Sequence, residues 1–161
     1  MNARRVAIHE AGHAVLAILY GRTIISGAIE QSSSTLGWIQ LDSTLLNSIY
    51  VSDAPLSEAN RGFLIEEIKI GWGGYAAEKL ILGNFYPWHM NDMQRITAAK
   101  LRLGDNFPSA ELLDVAVGEL STNREAVARV TEEMLARRYL THERVKELVA
   151  QHGRDLRSLD P

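Results

Sequence analysis

The sequence predicts a mainly α protein of the α+β class, a helical domain with a small β-hairpin or sheet beside its first helix. Three observations lead there. Residues 11–21, Ala-Gly-His-Ala-Val-Leu-Ala-Ile-Leu-Tyr-Gly, contain no Asp, Glu, Lys or Arg, the pattern of a helix apolar on nearly all sides and therefore buried. From about residue 57 onward, apolar residues recur at helical spacing, as in Phe63, Leu64, Ile68 and Trp72. Only residues 23–29 and 35–41 have strand-like composition, joined by the polar connection Gln31-Ser-Ser-Ser34. At 161 residues, 46% hydrophobic and 23% charged, the chain is expected to form one domain with a proper core.

Taken in order, residues 3–20 are expected to form the first helix, stopped by Gly21. Met1 lies barely two turns before His9, which fits either a minimal domain or a chain from which something upstream has been removed. The strands 23–29 and 35–41 follow. The backbone of Gly37, Trp38 and Ile39 could pair with an extended peptide if this strand is a sheet edge, or the hairpin could simply cover the core. Residues 42–55 read as loop, either a lid or a packed crossing segment. A helix starts at Ser57, with Ser57 or Asn60 as its cap, and the small residues at Gly73-Gly74 continue or restart it. Gly83 stops it, and 84–90 is an aromatic loop containing His89, read chiefly as an exposed loop histidine. Residues 91–103 open another helix. After a turn at 104–108 come helices at 109–120, 123–139 and 142–151, the last capped by Thr141. Their apolar stripes are read as core, His142 and His152 as solvated, and the tail after Gly153 as frayed.

The chemistry centres on His9-Glu10-Ala11-Gly12-His13. Residues four apart lie on one helix face, roughly 5–6 Å apart, so two imidazoles can close on one metal ion. Glu10 then sits where its carboxylate can reach a water on that ion, and two histidines with a third ligand and an open position form the usual catalytic site of a zinc metallopeptidase. The competing reading is a chance pair of core histidines with local hydrogen bonds. Burial argues against it, because a carboxylate beside two imidazoles in an apolar helix is unfavourable unless something satisfies them. With no cysteine in the chain, the ligands must be histidines and carboxylates. Glu78, on a later helix, could be the third ligand, a carboxylate orienting a ligand imidazole, or a solvated charge. Asp92, near a helix start, could be merely a capping carboxylate.

Composition excludes other classes. The net charge is −3 and basic residues are scattered among acids, so no nucleic-acid surface is indicated. The longest strongly apolar run, 14–20, is far short of the roughly 20 residues that span a bilayer. Arg4 and Arg5 before an apolar stretch superficially suggest a signal peptide, but His9, Glu10 and His13 interrupt it. A cytoplasmic location is expected, or membrane association through a partner or an upstream region.

Three stretches, in order, carry a family resemblance: His9-Glu10-Ala11-Gly12-His13-Ala14, Gly73-Gly74-Tyr75-Ala76-Ala77-Glu78 and Asn91-Asp92-Met93-Gln94-Arg95-Ile96-Thr97. Together they resemble the peptidase domain of the FtsH family of zinc metallopeptidases, over nearly the whole chain. The strand 36–41 looks like that family's edge strand beside the active site, and 135–143 is weakly similar to its C-terminal helical segment. The resemblance implies Zn²⁺ held by His9, His13 and Asp92, Glu10 as catalytic base, and Glu78 as a supporting carboxylate. It implies a zinc-dependent endopeptidase that hydrolyses unfolded or flexible polypeptides. Three departures qualify it, one of them the unusually aromatic loop at 84–90. No G-x-x-x-x-G-K-[ST] phosphate loop occurs, so any ATP-driven unfolding would come from a separate unfoldase; and Tyr75 stands where the family commonly has Arg. Related domains assemble as hexamers, so a homo-oligomer is within the expectation, as is a monomer. The alternative is a catalytically inactive, peptidase-like binding or assembly module; an intact Glu10 speaks against it.

Overall fold

The structure, a computed structural model, describes residues 2–31, 35–85 and 90–154. It is mainly helical with a small antiparallel sheet, the class the sequence predicts. Helix α1 (Ala3–Leu19) starts at Asn2, whose side-chain carbonyl accepts a hydrogen bond from the Arg5 backbone N–H at 2.8 Å. It ends at Gly21, which takes the left-handed conformation (φ 68°) that a residue without Cβ adopts cheaply. Residues 6–18 of α1 are all buried, which explains the charge-free run. Fully burying one Leu or Ile side chain stabilises by roughly 1.5–3 kcal/mol, so Ile8, Leu16 and Ile18 make α1 the centre of the main core. Residues of the later helices at 58–82, 112–122, 124–137 and 142–152 pack around it.

Strands β1 (Ile24–Gln31) and β2 (Thr35–Leu41) pair antiparallel, with Gly37 opposite Ile29, Trp38 opposite Ala28 and Ile39 opposite Gly27. A third strand, β3 (Tyr139–Leu140), joins the other side of β1, giving the order β2-β1-β3. The sheet is therefore larger than the hairpin, and β2 is an outer strand.

Residues 42–55 are not wholly loop. They contain a helix, α2 (Thr44–Val51), started by Asp42, whose carboxylate accepts from the Thr44 N–H and hydroxyl at 2.9 and 2.7 Å. Leu46 and Ile49 of α2 form a second core with Leu64, Ile68, Ile96 and Ala99. Helix α3 (Glu58–Leu82) runs unbroken through Gly73-Gly74, from a Ser57 cap to the left-handed Gly83. Helix α4 (Met90–Leu103) packs against it, tied by an ion pair between buried Glu67 and half-buried Arg95. A 3-10 turn (Ser109–Glu111) precedes α5 (Leu112–Thr122), α6 (Arg124–Arg137) and α7 (His142–His152). Thr141 caps α7 as expected. His142 is half-buried rather than solvated, its Nδ1 accepting from the Ile24 N–H at 3.2 Å, and His152 is half-buried too. Among the described residues no helix is long and apolar enough to cross a membrane.

Candidate metal centre

Three glycines of α3 set the geometry of the centre. A Cβ on Gly73 would press on the Gly12 carbonyl, and one on Gly12 would overlap the Gly73 carbonyl, so α1 and α3 touch backbone to backbone here. A Cβ on Gly74 would overlap the His9 ring, and one on Gly71 would lie 2.6 Å from Ile96 of α4. Each glycine costs a helix interior roughly 1 kcal/mol relative to alanine. In exchange α3 lies close enough to both neighbours for α1 to present His9 and His13 toward the first turn of α4, which carries Asp92.

The three side chains converge. His9 Nε2 lies 2.9 Å from Asp92 Oδ2, His13 Nε2 lies 3.4 Å from Asp92 Oδ1, and the two Nε2 atoms are 3.1 Å apart. The outer ring nitrogens are committed elsewhere. Nδ1 of His9 faces Glu78 Oε1 at 2.9 Å and Nδ1 of His13 faces the Ile70 carbonyl at 2.7 Å. A carbonyl and a carboxylate can only accept, so both Nδ1 atoms carry the protons and donate them. That leaves the lone pairs of both Nε2 atoms and of Asp92 facing one another, an arrangement that a metal ion, or a proton on one imidazole, would satisfy. Four-coordinate zinc with bonds of about 2.0–2.1 Å holds its ligand atoms about 3.3 Å apart, close to the 2.9–3.4 Å found among these three. The donor set of two imidazoles and one carboxylate thus fits such an ion in chemistry and spacing.

Charge points the same way. Glu10, Glu78 and Asp92 bring three carboxylates, and Arg5 binds one of them, its Nε donating to Glu78 Oε2 at 2.7 Å. A divalent cation among His9, His13 and Asp92 would add positive charge beside these carboxylates. Without a metal, His9 takes up a proton instead. Burial opposes its imidazolium, but the hydrogen bonds to Asp92 and Glu78 and the Glu10 and Asp92 charges outweigh it, and the pKa is pushed up to about 9. Burial likewise opposes ionisation of Asp92, yet the imidazoles, His13 foremost, hold its carboxyl well below the usual carboxylate range.

Glu10 is buried beside this centre, with its side chain against the outer strand. A Cβ on Gly37 would lie 2.7 Å from Glu10 Cγ and 3.0 Å from its Oε1. The missing side chain lets β2 pass directly over the carboxylate. Along β2, Gly37 and Ile39 turn inward while Leu36 and Trp38 are exposed, Trp38 by 39%.

His9, His13 and Asp92 are thus brought together, with Glu10 and the Gly37–Ile39 strand beside them. Glu78 is fully buried and hydrogen-bonded to His9; it is neither among the three converging groups nor a solvated charge. His89 and most of the aromatic loop lie outside the described residues. Three participants escaped the sequence reading. The Ile70 carbonyl carries no residue-type signal. Tyr75 packs its ring edge-to-face with His9, with centroids 5.6 Å apart. Arg5 did leave a signal: Arg5, His9 and His13 are spaced by fours, on one stripe of α1. No protein-family model matches the chain, and no curated protein matches it.

Proposed function

We propose that this chain is a zinc-dependent endopeptidase that hydrolyses unfolded or flexible polypeptides, related to the peptidase domain of the FtsH family. The observation that carries the reading is the convergence of His9 Nε2, His13 Nε2 and the Asp92 carboxylate beside a buried Glu10 under an outer β-strand. The resemblance of the three motifs, which contain the same residues, is in line with it. His9, His13 and Asp92 would hold the ion, which when bound supplies a Lewis acid and makes its water more acidic.

The protein's own groups do the rest. Glu78 and the Ile70 carbonyl fix both imidazoles with Nε2 inward. The Glu10 carboxylate takes the proton from the attacking water and delivers it to the departing amine, so that no serine or cysteine nucleophile is required. Val6 and Tyr75, both buried, lie beside the Gly37–Glu10 contact and the His9 ring, and such low-dielectric surroundings strengthen electrostatic contacts. The outer strand offers backbone at Gly37–Ile39 to an extended substrate segment, whose passage over Glu10 would set the scissile bond beside the base.

The test is Glu10→Gln. This change keeps shape and removes the base, so cleavage of a casein-like unfolded chain should fall by at least about 10²-fold while zinc remains bound. If the unmutated protein holds zinc yet cleaves no unfolded chain, it is a binding or assembly module instead. A stably folded substrate should resist cleavage unless a separate unfoldase is supplied.

A further inference from the structure

We propose that Arg5 is a positioning residue of the metal centre, acting on His9 through Glu78. This inference rests on the endopeptidase reading above. Arg5 stands one turn before His9 on the same face of α1, so its guanidinium lies alongside the imidazole and reaches the same partner on α3. Its Nε donates to Glu78 Oε2 at 2.7 Å, while Glu78 Oε1 accepts from His9 Nδ1 at 2.9 Å. The two oxygens of one buried carboxylate are thus divided, one to the cation and one to the imidazole.

The guanidinium is itself held. Its Nη2 donates to the Asn84 side-chain oxygen at 2.5 Å and to the Asn84 backbone carbonyl at 3.3 Å. Asn84 follows the left-handed Gly83 that closes α3. Arg5 therefore ties the start of α1 to the end of α3, with Nε turned to Glu78 and Nη2 to Asn84. Lysine has the charge but not the planar fork, so it does not reproduce the fixed geometry in which Nε meets Glu78 and Nη2 meets Asn84.

Helix energetics do not account for Arg5. The first turn of a helix favours acidic residues, and α1 has none there. A cation at this end is unfavourable unless a specific anion answers it, and Glu78 does. A purely electrostatic role would also have a distinct consequence, because removing a positive charge near a bound cation should tighten metal binding. Positioning has the opposite sign: a Glu78 carboxylate without its guanidinium no longer holds the imidazole in line, and metal binding weakens.

The experiment measures zinc affinity by competition with a chromophoric chelator. It compares the unmutated chain with Arg5→Met, Arg5→Lys, Glu78→Gln and the Arg5→Met/Glu78→Gln double variant, each checked for fold by circular dichroism. Arg5→Met should weaken zinc binding by about 10-fold, the lower end of the effect of removing an outer partner of a ligand. Arg5→Lys should weaken it by at least about 3-fold. In the Glu78→Gln background, Arg5→Met should have less than about a 2-fold effect. The visible spectrum of the cobalt-loaded protein should change in Arg5→Met, reporting altered ligand geometry. If Arg5→Lys binds zinc as tightly as the unmutated chain, or Arg5→Met binds it equally or more tightly, the inference is overturned while the endopeptidase reading stands. If the unmutated chain binds no zinc, both fall.

Discussion

Gly74→Ala places one methyl group against the metal centre, and two opposing terms decide its effect. Alanine favours a helix interior over glycine by roughly 1 kcal/mol. Against this, the new Cβ would overlap Cε1, Nε2 and Cδ2 of the His9 ring. Overpacking of this kind costs roughly 1–3 kcal/mol when neighbours can yield. His9 yields poorly: Nδ1 donates to Glu78, Nε2 faces Asp92 at 2.9 Å, and Tyr75 lies against the ring. The upper part of that range therefore applies, and the net loss is about 1–2 kcal/mol. Because the displaced group is one of the three converging donors, zinc affinity should fall by at least about 10-fold. Gly62, also on α3, is the control, since a Cβ there meets nothing within 4 Å. Gly62→Ala should stabilise by about 0.5–1 kcal/mol and leave zinc binding alone. Urea denaturation with and without zinc, plus chelator competition, measures both variants. A Gly74→Ala protein as stable as Gly62→Ala, with undiminished zinc affinity, would refute the packing argument.

Further expectations concern the same residues. In the metal-free protein the raised His9 pKa stabilises the fold fully below pH 6.5, and that stability is lost as pH rises through about 9. Denaturation in chelator should therefore show a decline, on the order of 3 kcal/mol at most, between pH 6.5 and 9; a flat profile would remove the coupling between His9 and its carboxylates. Zinc loading at pH 7.5 should release about one proton, read from the dependence of calorimetric heats on buffer ionisation. Gly37→Ala would put a Cβ 2.5 Å from Val6 Cγ1 and 2.7 Å from Glu10 Cγ. Small misplacements of a catalytic group cost up to about 10²-fold, so cleavage should fall at least 10-fold with zinc affinity kept within about twofold. Equal loss of both would mean that the strand supports the metal rather than Glu10.

The sequence carried much of this arrangement and missed parts for identifiable reasons. The charge-free run in α1 and the i, i+4 histidines are local patterns, and local patterns survive without coordinates. Helix α2 was hidden because eight residues with only Leu46 and Ile49 buried make a weak periodic signal, and its start depends on Asp42, outside the apolar run. Strand β3 is two residues long and exists only because β1 lies beside it, so its cause is tertiary. From its own residues the sequence left Glu78 open between ligand, supporting carboxylate and solvated charge, because burial is a property of the α1–α3 contact, which Gly12 and Gly73 create. The partner of His13 is a backbone carbonyl, for which no residue type is a marker. The glycine cluster at 71–74 was readable as close helix approach, but not which ring would rest on Gly74.

The account stands or falls on a cation bound among His9, His13 and Asp92. X-ray absorption at the zinc edge, on protein purified without added metal, tests it most directly. The expected result is one zinc per chain, with two imidazole nitrogens and light oxygen ligands at about 2.0–2.1 Å, and loss of that signal in Asp92→Ala. Protein without stoichiometric metal, or zinc retained unchanged in Asp92→Ala, would contradict it.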